Sequence, residues 1–310
     1  MLSASRVKIV SIVLATALAF SLTACSGTAD GEDSEFPTLD LQVASSTFSE
    51  PWILSEMVKI FLEDLGHNVE HTINIQADTS HALMSAGELD FYMSWTGTEF
   101  TGLLEMDVTE EWRDRERVFD YVHERLEEDY DRTLFPPLGF NNTYALAVRQ
   151  SFAEEHGLEK ASDLIDMAPD LTIGTDTTFQ ERSGDGFDAM AEHYGFEFGE
   201  VTGMTYGILY RAVASGDVDV SVAYSTDGRI PAMDLVILQD DRNFFPPYDG
   251  VIIGRNETLE ADPRIAETLS VMWGAIDEAT MARLNAEVDV EEREFADVAR
   301  EFMQENGWIE

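Results

Sequence analysis

The sequence predicts an α/β protein folded as two lobes, and three observations carry that prediction. From Leu39 onward short apolar runs alternate with stretches of helical spacing, which gives strands joined through helices and mainly parallel sheets. The chain has 310 residues, more than one core usually serves. One pattern also occurs twice, as small residue, Gly, acid, apolar, Asp and an extended run: "SAGELDFYMSW" ends on Trp95 and "ASGDVDVSVAY" ends on Tyr224. Gly87 and Gly216 fit the left-handed residue that closes a helix, and the runs after them fit buried parallel strands. Ligands of open α/β sheets collect at the carboxyl ends of strands, so Trp95 and Tyr224 stand where two lobes would face one ligand. Helix-Gly-strand turns also recur in any α/β protein, and both aromatics read equally well as core.

Element by element, "LDLQVAS" reads as a strand, and "PWILSEMVKIFLEDLG" as a helix with Pro at its start and Gly at its end. "NVEHTINI" is a second strand, and "HALMSAG" is the helix end that leads into the first copy of the repeat. "TGTEFTGLLEM" and a charged helix around "ERVFDYVHERLEEDY" follow Trp95. The strands "TYALAVR", "DLTIGT", "DVDVSVAY", "DLVILQ" and "GVIIGR" come next with helices between them. "DPRIAETLSVMWGAI" and "EREFADVAREFMQENGW" read as two amphipathic helices.

Two turn-rich stretches, "LFPPLGFNNTY" and "RNFFPPYDG", both carry Pro-Pro and are the candidate lobe crossings. The expected division is therefore residues 39–141 with 249–310 as domain I and 142–248 as domain II. A two-strand hinge of this kind leaves a cleft that can close over a small ligand.

The 61 acidic residues outweigh 19 basic ones, for a net charge of -42. That excludes nucleic acid or anionic lipid as partners of a basic surface. The acid is spread along the whole chain, as on a halophilic surface adapted to high salt, where self-repulsion is muted. At the N-terminus Arg6 and Lys8 precede "IVSIVLATALAFSL" and then "LTAC", with Cys25 the single cysteine. A basic start, a short apolar run and small residues before a cut describe a secretory signal, too short for a permanent span. The placement of Cys25 after Leu22-Thr23-Ala24 resembles a bacterial lipoprotein signal over residues 1–24, with Cys25 lipidated. Residues 25–38 then form a flexible polar tether. With one cysteine there is no internal disulfide, and the cores alone must hold the fold.

Catalytic signatures are missing: there is no G-x-S-x-G, phosphate loop, G-x-G-x-x-G or H-E-x-x-H. His67 and His71 are four apart but fall at a strand entry, which speaks against a metal site there. What is present is aromatic. Trp95, Tyr144, Tyr224 and Tyr248 fall at strand ends or crossings, the places that face an interlobe cleft. A quaternary ammonium has no N–H to donate, so ring faces are its natural partners, each worth roughly 0.5 to 2 kcal/mol.

"FNNTYALAVR", "GDVDVSVAYSTDGRI" and "FFPPYDG", with "WTGT" upstream, resemble the glycine betaine/choline (osmoprotectant) substrate-binding lipoproteins of ABC importers, from about Leu39 to the C-terminus. The resemblance implies a two-lobed periplasmic-binding-protein fold of type II, with the ligand in the interlobe cleft. It places the family's aromatic cage on Trp95, Tyr144, Tyr224 and Tyr248, with Trp95 departing from the usual Tyr. It gives Thr98 and Arg182 the ligand carboxylate, and it sets Ser46 where relatives often carry a lysine. No catalytic residue, cofactor or metal is implied, so the protein is expected not to be an enzyme. Its expected partners are a quaternary-ammonium solute, an ABC permease and, through it, an ATPase. The protein itself is expected to be an extracytoplasmic monomer held at the cell membrane only by a lipid on Cys25. A broad-specificity site for choline, carnitine or proline betaine is the alternative ligand reading, and a ligand-presenting sensor subunit the alternative role.

Overall fold

The structure is a computed structural model that describes residues 36–176, 179–180 and 186–310. Among these residues ten strands make two five-stranded sheets. The first has the order β2-β1-β3-β10-β4, from Asp40–Ala44 (β1), Asn68–Thr72 (β2), Phe91–Trp95 (β3), Arg132–Leu134 (β4) and Gly250–Arg255 (β10). The second has the order β7-β6-β8-β5-β9, from Tyr144–Arg149 (β5), Thr172–Asp176 (β6), Glu200–Met204 (β7), Val220–Tyr224 (β8) and Leu235–Leu238 (β9). Each sheet packs into its own hydrophobic clusters, one around Ile53, Phe91 and Phe302 and another around Val148, Ile173 and Tyr194. The protein is thus an α/β chain of two lobes.

Both repeats behave as their residues dictate. Gly87 and Gly216 stand at φ +76° and +83°, left-handed positions where a Cβ would be strained. β3 after the first is buried along its whole length, and β8 is buried up to Tyr224. The helix Ser49–Asp64 carries Glu50 in its first turn, where the helix dipole favours a negative charge, and Pro51 where no N–H is needed. Asp114 and Asp277 cap the helices Arg115–Tyr130 and Glu278–Asp289 by accepting the N–H groups of Arg117 and Thr280, each at 2.8 Å.

Two expectations are corrected. The sheets are mixed rather than mainly parallel: β10 runs antiparallel to β3 and β4, and β5 antiparallel to β8 and β9. β5 and β10 are the strands that follow the crossings. With no crossover helix before them, nothing forces them to run parallel to their neighbours. The stretch 262–276 is also not one helix. Helix Arg264–Leu269 runs into a tight 3-10 turn, Ser270–Met272, and stops where Gly274 takes φ +69° and donates its N–H to Pro137 O at 2.9 Å.

The crossings run side by side. Asn141 and Asp249 form an antiparallel bridge, and Asn142 N–H donates to Tyr248 O at 2.9 Å. The Asn141 side-chain oxygen accepts the Tyr248 N–H at 2.6 Å, which fixes the backbone that carries Tyr248.

Candidate ligand-binding site

A cavity of about 480 Å³ lies at the strand ends and crossings, within the size range of small-molecule sites. Its wall includes Trp95, Tyr144, Tyr224 and Tyr248, four rings from separate parts of the chain. Sheet register explains how they meet. Tyr144 opens β5 directly opposite Tyr224, which closes β8. Gly250 opens β10 opposite Trp95, which closes β3, so Tyr248 just before it reaches the same edge.

The rings are held firmly. Tyr144 and Tyr224 stack with centroids 4.8 Å apart at 28°, and the Tyr224 hydroxyl donates to that of Tyr144 at 3.2 Å. Phe179 backs Tyr144 at 4.8 Å. Trp95 is 8% exposed and stacks on Phe48 at 5.3 Å and 14°. Gly97, inside "WTGT", lies so close to Tyr248 that a Cβ there would be 2.8 Å from its ring and 2.7 Å from Pro247 O. The glycine is what lets the Tyr248 ring approach this turn.

Of the other expected residues, Thr98 lines the cavity and is half-buried. Ser46 does not line it; its carbonyl accepts the Trp52 indole N–H at 2.7 Å, two residues before the wall begins at Phe48. Arg182 and Cys25 lie outside the described residues.

Apart from Thr98, sequence reasoning missed the polar residues of the wall. Asp227 and Arg229 sit inside the "AYSTDGRI" motif, and Asn142 inside "FNNTY", so motif neighbours were the available signal. Arg229 donates from Nε to Asp227 Oδ1 at 2.8 Å and lies 4.1 Å over the Tyr210 ring. Asn285 and Asp289 come from the helix Glu278–Asp289, far away in sequence, and no local signal marks them. Ser49 donates its hydroxyl to Asp289 at 2.9 Å, and burial pushes the Asp289 carboxyl upward, with Asp227 adding to the effect. Glu50 was also missed. It is completely buried, and that burial pushes its carboxyl upward against hydrogen bonds from Thr226, Asn142, Asn285 and Trp95. Among the described residues the charged groups around the cavity are three acids, Glu50, Asp227 and Asp289, and one base, Arg229.

The two lobes touch beside the cavity. Asn285 of the first donates to Thr226 O of the second at 2.8 Å. Gly228 packs on the backbone of the helix Glu278–Asp289 so tightly that a Cβ would be 2.3 Å from Ala286 N.

His67 and His71 go to different partners. His67 pairs with Asp262 at 3.2 Å and accepts the Leu39 N–H at 3.2 Å. His71 stands between Ser45 Oγ at 2.9 Å and Glu56 Oε2 at 2.8 Å. That order is the order of a hydrolytic triad, yet Ser45 is 1% exposed and no substrate reaches its hydroxyl. Lowered by its bonds to His71 and Lys59 in spite of burial, the Glu56 carboxyl anchors the helix Ser49–Asp64 to β2.

Two α/β lobes, a paired crossing and an aromatic cavity define the substrate-binding proteins of solute importers. A family model, "Substrate binding domain of ABC-type glycine betaine transport system", matches residues 40–305, and the chain belongs to that family. It is 34% identical over 303 residues to the carnitine transport binding protein OpuCC of Listeria monocytogenes (strain 10403S), covering 97% of this chain and 96% of that protein. It is 30% identical over 277 residues to a glycine-betaine-binding protein of Pseudomonas aeruginosa, covering 86% and 88%. A solved structure described as a glycine betaine/carnitine/choline ABC transporter superposes with a TM-score of 0.82 at 34% identity, over 87% of this chain and 99% of that one. The protein is therefore an extracytoplasmic, non-enzymatic substrate-binding component that works with a permease and an ATPase. Among the described residues no helix is long and apolar enough to cross a membrane.

Proposed function

We propose that the protein captures glycine betaine, or a related quaternary-ammonium compatible solute, and delivers it to an ABC permease for osmoprotection. The observation that carries this reading is the convergence of Trp95, Tyr144, Tyr224 and Tyr248 on one cavity. Rings at these positions form a cage for a methylated cation, and three or four such contacts together with a carboxylate clamp reach the roughly 8 kcal/mol of micromolar affinity. Thr98 and Arg182 bind the ligand carboxylate in this reading, Arg182 by the bidentate geometry that suits a guanidinium. Domain I comprises 39–141 and 249–310, domain II comprises 142–248, and ligand binding favours their closure. The protein acts as a monomer, held at the membrane by a lipid on Cys25.

Broader specificity is the second reading, with choline, carnitine or proline betaine also accepted. It is favoured by the three acids around the cavity, Glu50, Asp227 and Asp289, and by Arg229 lying against Asp227. Calorimetric titration of the full-length protein in detergent at high salt separates the two. Tight glycine betaine with weak choline supports the carboxylate-reading site, comparable affinities support the broad site, and heat from neither rejects the ligand class.

A further inference from the structure

We infer that Glu50 is the anion that makes this cavity select positive charge, a positioning residue acting from behind the wall through the Trp95 indole and across the lobes through Asn142 and Thr226. The inference rests on the quaternary-ammonium reading above and deepens it.

Glu50 is 0% exposed, so it does not meet a ligand directly. Its carboxylate is met by donors. Oε1 accepts the Trp95 Nε1–H at 3.0 Å and the Asn142 amide at 2.9 Å; Oε2 accepts the Asn285 amide at 3.2 Å. The Thr226 hydroxyl is a fourth partner. Burial pushes this carboxyl upward, toward the neutral form; against it, an indole N–H can only donate and an ionised carboxylate only accepts, so the four donors favour the charged form. The position in the first turn of the helix Ser49–Asp64 favours that form further.

The bond to Trp95 has two consequences. It fixes the plane of a cage ring that has Phe48 stacked on one face. It also sets a negative charge at the edge of the indole, and a cation held against the cage then feels the ring quadrupole and that charge together. A cation such as choline gains the whole interaction. A zwitterion such as glycine betaine gains at its head and loses at its carboxylate. Glu50 therefore sets the ratio of cation to zwitterion affinity and not merely the strength of binding. Its donors also come from both sides of the cavity, Trp95 and Asn285 from the first lobe and Thr226 from the second, with Asn142 at the crossing. The charge is thus fully bonded when the lobes meet.

The test is calorimetric titration of the full-length protein and of E50Q with choline chloride and with glycine betaine at neutral pH, with melting curves alongside. In E50Q the choline Kd should rise by about tenfold or more and the glycine betaine Kd by no more than about threefold. A purely structural role would weaken both ligands alike and leave their ratio unchanged, and that result, or no change for either, overturns the inference. If E50Q does not fold, E50D decides. It keeps the charge but draws it back by about one carbon–carbon bond, and the choline-to-betaine affinity ratio should fall roughly two- to threefold. An unchanged ratio in E50D overturns the assignment. Heat from neither ligand in the wild-type protein overturns the ligand class itself, a failure distinct from an unaltered ratio in a protein that binds.

Discussion

Tyr144 and Tyr224 are cross-strand partners: they face each other in the β5–β8 register, their rings stack at 4.8 Å, and their hydroxyls meet at 3.2 Å. Removing one ring takes a wall from the cavity and a support from the other. Tyr224→Ala is expected to weaken glycine betaine by roughly tenfold or more, since each ring contributes about 0.5 to 2 kcal/mol and its stacked partner loosens as well. Glu88→Ala, on the exposed surface, should change affinity less than about twofold. Calorimetry on both variants checks the cage, and equal effects would remove it.

Gly228→Ala should act on closure. The added methyl meets the Ala286 backbone of the opposite lobe, while the Gly228 backbone, at φ -63°, accepts any residue. Such overpacking costs about 1–3 kcal/mol, so affinity for every ligand should fall by roughly five- to 150-fold. The melting temperature of the ligand-free protein should hardly move. Small-angle scattering with saturating ligand should show a more extended particle than the wild type, and an unchanged particle would count against the contact as part of closure.

Arg182→Ala separates carboxylate recognition from cage recognition. A charge-assisted pair is worth about 1.5–3 kcal/mol, so glycine betaine affinity should fall by roughly ten- to 150-fold while choline affinity holds. Parallel titrations decide, and a parallel loss of both ligands would assign Arg182 to the fold rather than to the ligand.

Alkali should destabilise the protein through buried tyrosines. Burial, with the Asp240 carboxylate that accepts its hydroxyl, pushes Tyr194 far above the ordinary value of 10.0. Burial, with Glu99 nearby, likewise pushes Tyr92 well above it. The native state keeps phenol protons that the unfolded chain gives up near that pH. Stability is therefore complete below about pH 10 and falls above it, by about 1.4 kcal/mol per pH unit for each tyrosine. Tyr194→Phe should melt earlier at neutral pH, having lost a hydrogen bond, yet decline less steeply above pH 10. Identical alkaline slopes in melting curves would assign the loss to other groups.

Salt should stabilise the fold. With a net charge of -42, self-repulsion opposes the compact state, and raising ionic strength from 0.1 to 1 M shortens the screening length from about 10 Å to about 3 Å. Melting temperature should rise steadily with potassium chloride over this range. A flat or falling curve would show that the acidic surface is not adapted to salt.

Much of the site was legible because its rings follow local rules. Trp95 and Tyr224 could be placed from Gly87, Gly216 and the apolar runs between, since helix closure and strand burial are written in neighbouring residues. Tyr144 and Tyr248 could be placed because Pro-Pro marks each crossing. The polar wall was not legible in the same way. Glu50 looked like one more acid on a helix in a chain with 61 acidic residues, and Asn285 like one more polar residue on an amphipathic one. Only burial separates them from their neighbours.

By itself, then, the sequence determined the alternation of strands and helices, the two crossings and which aromatics stand at strand ends, because turns, periodicity and left-handed glycines are short-range effects. Strand direction was decided only in the tertiary structure, since β5 and β10 enter their sheets straight from crossings and pair with strands already in place. The approach of Gly228 to Ala286 and the gathering of Trp95, Asn142, Thr226 and Asn285 around one buried carboxylate were decided there too. Contacts between residues more than two hundred positions apart, such as Glu50 and Asn285, exist only once the helices that carry them pack together, and no local pattern encodes them.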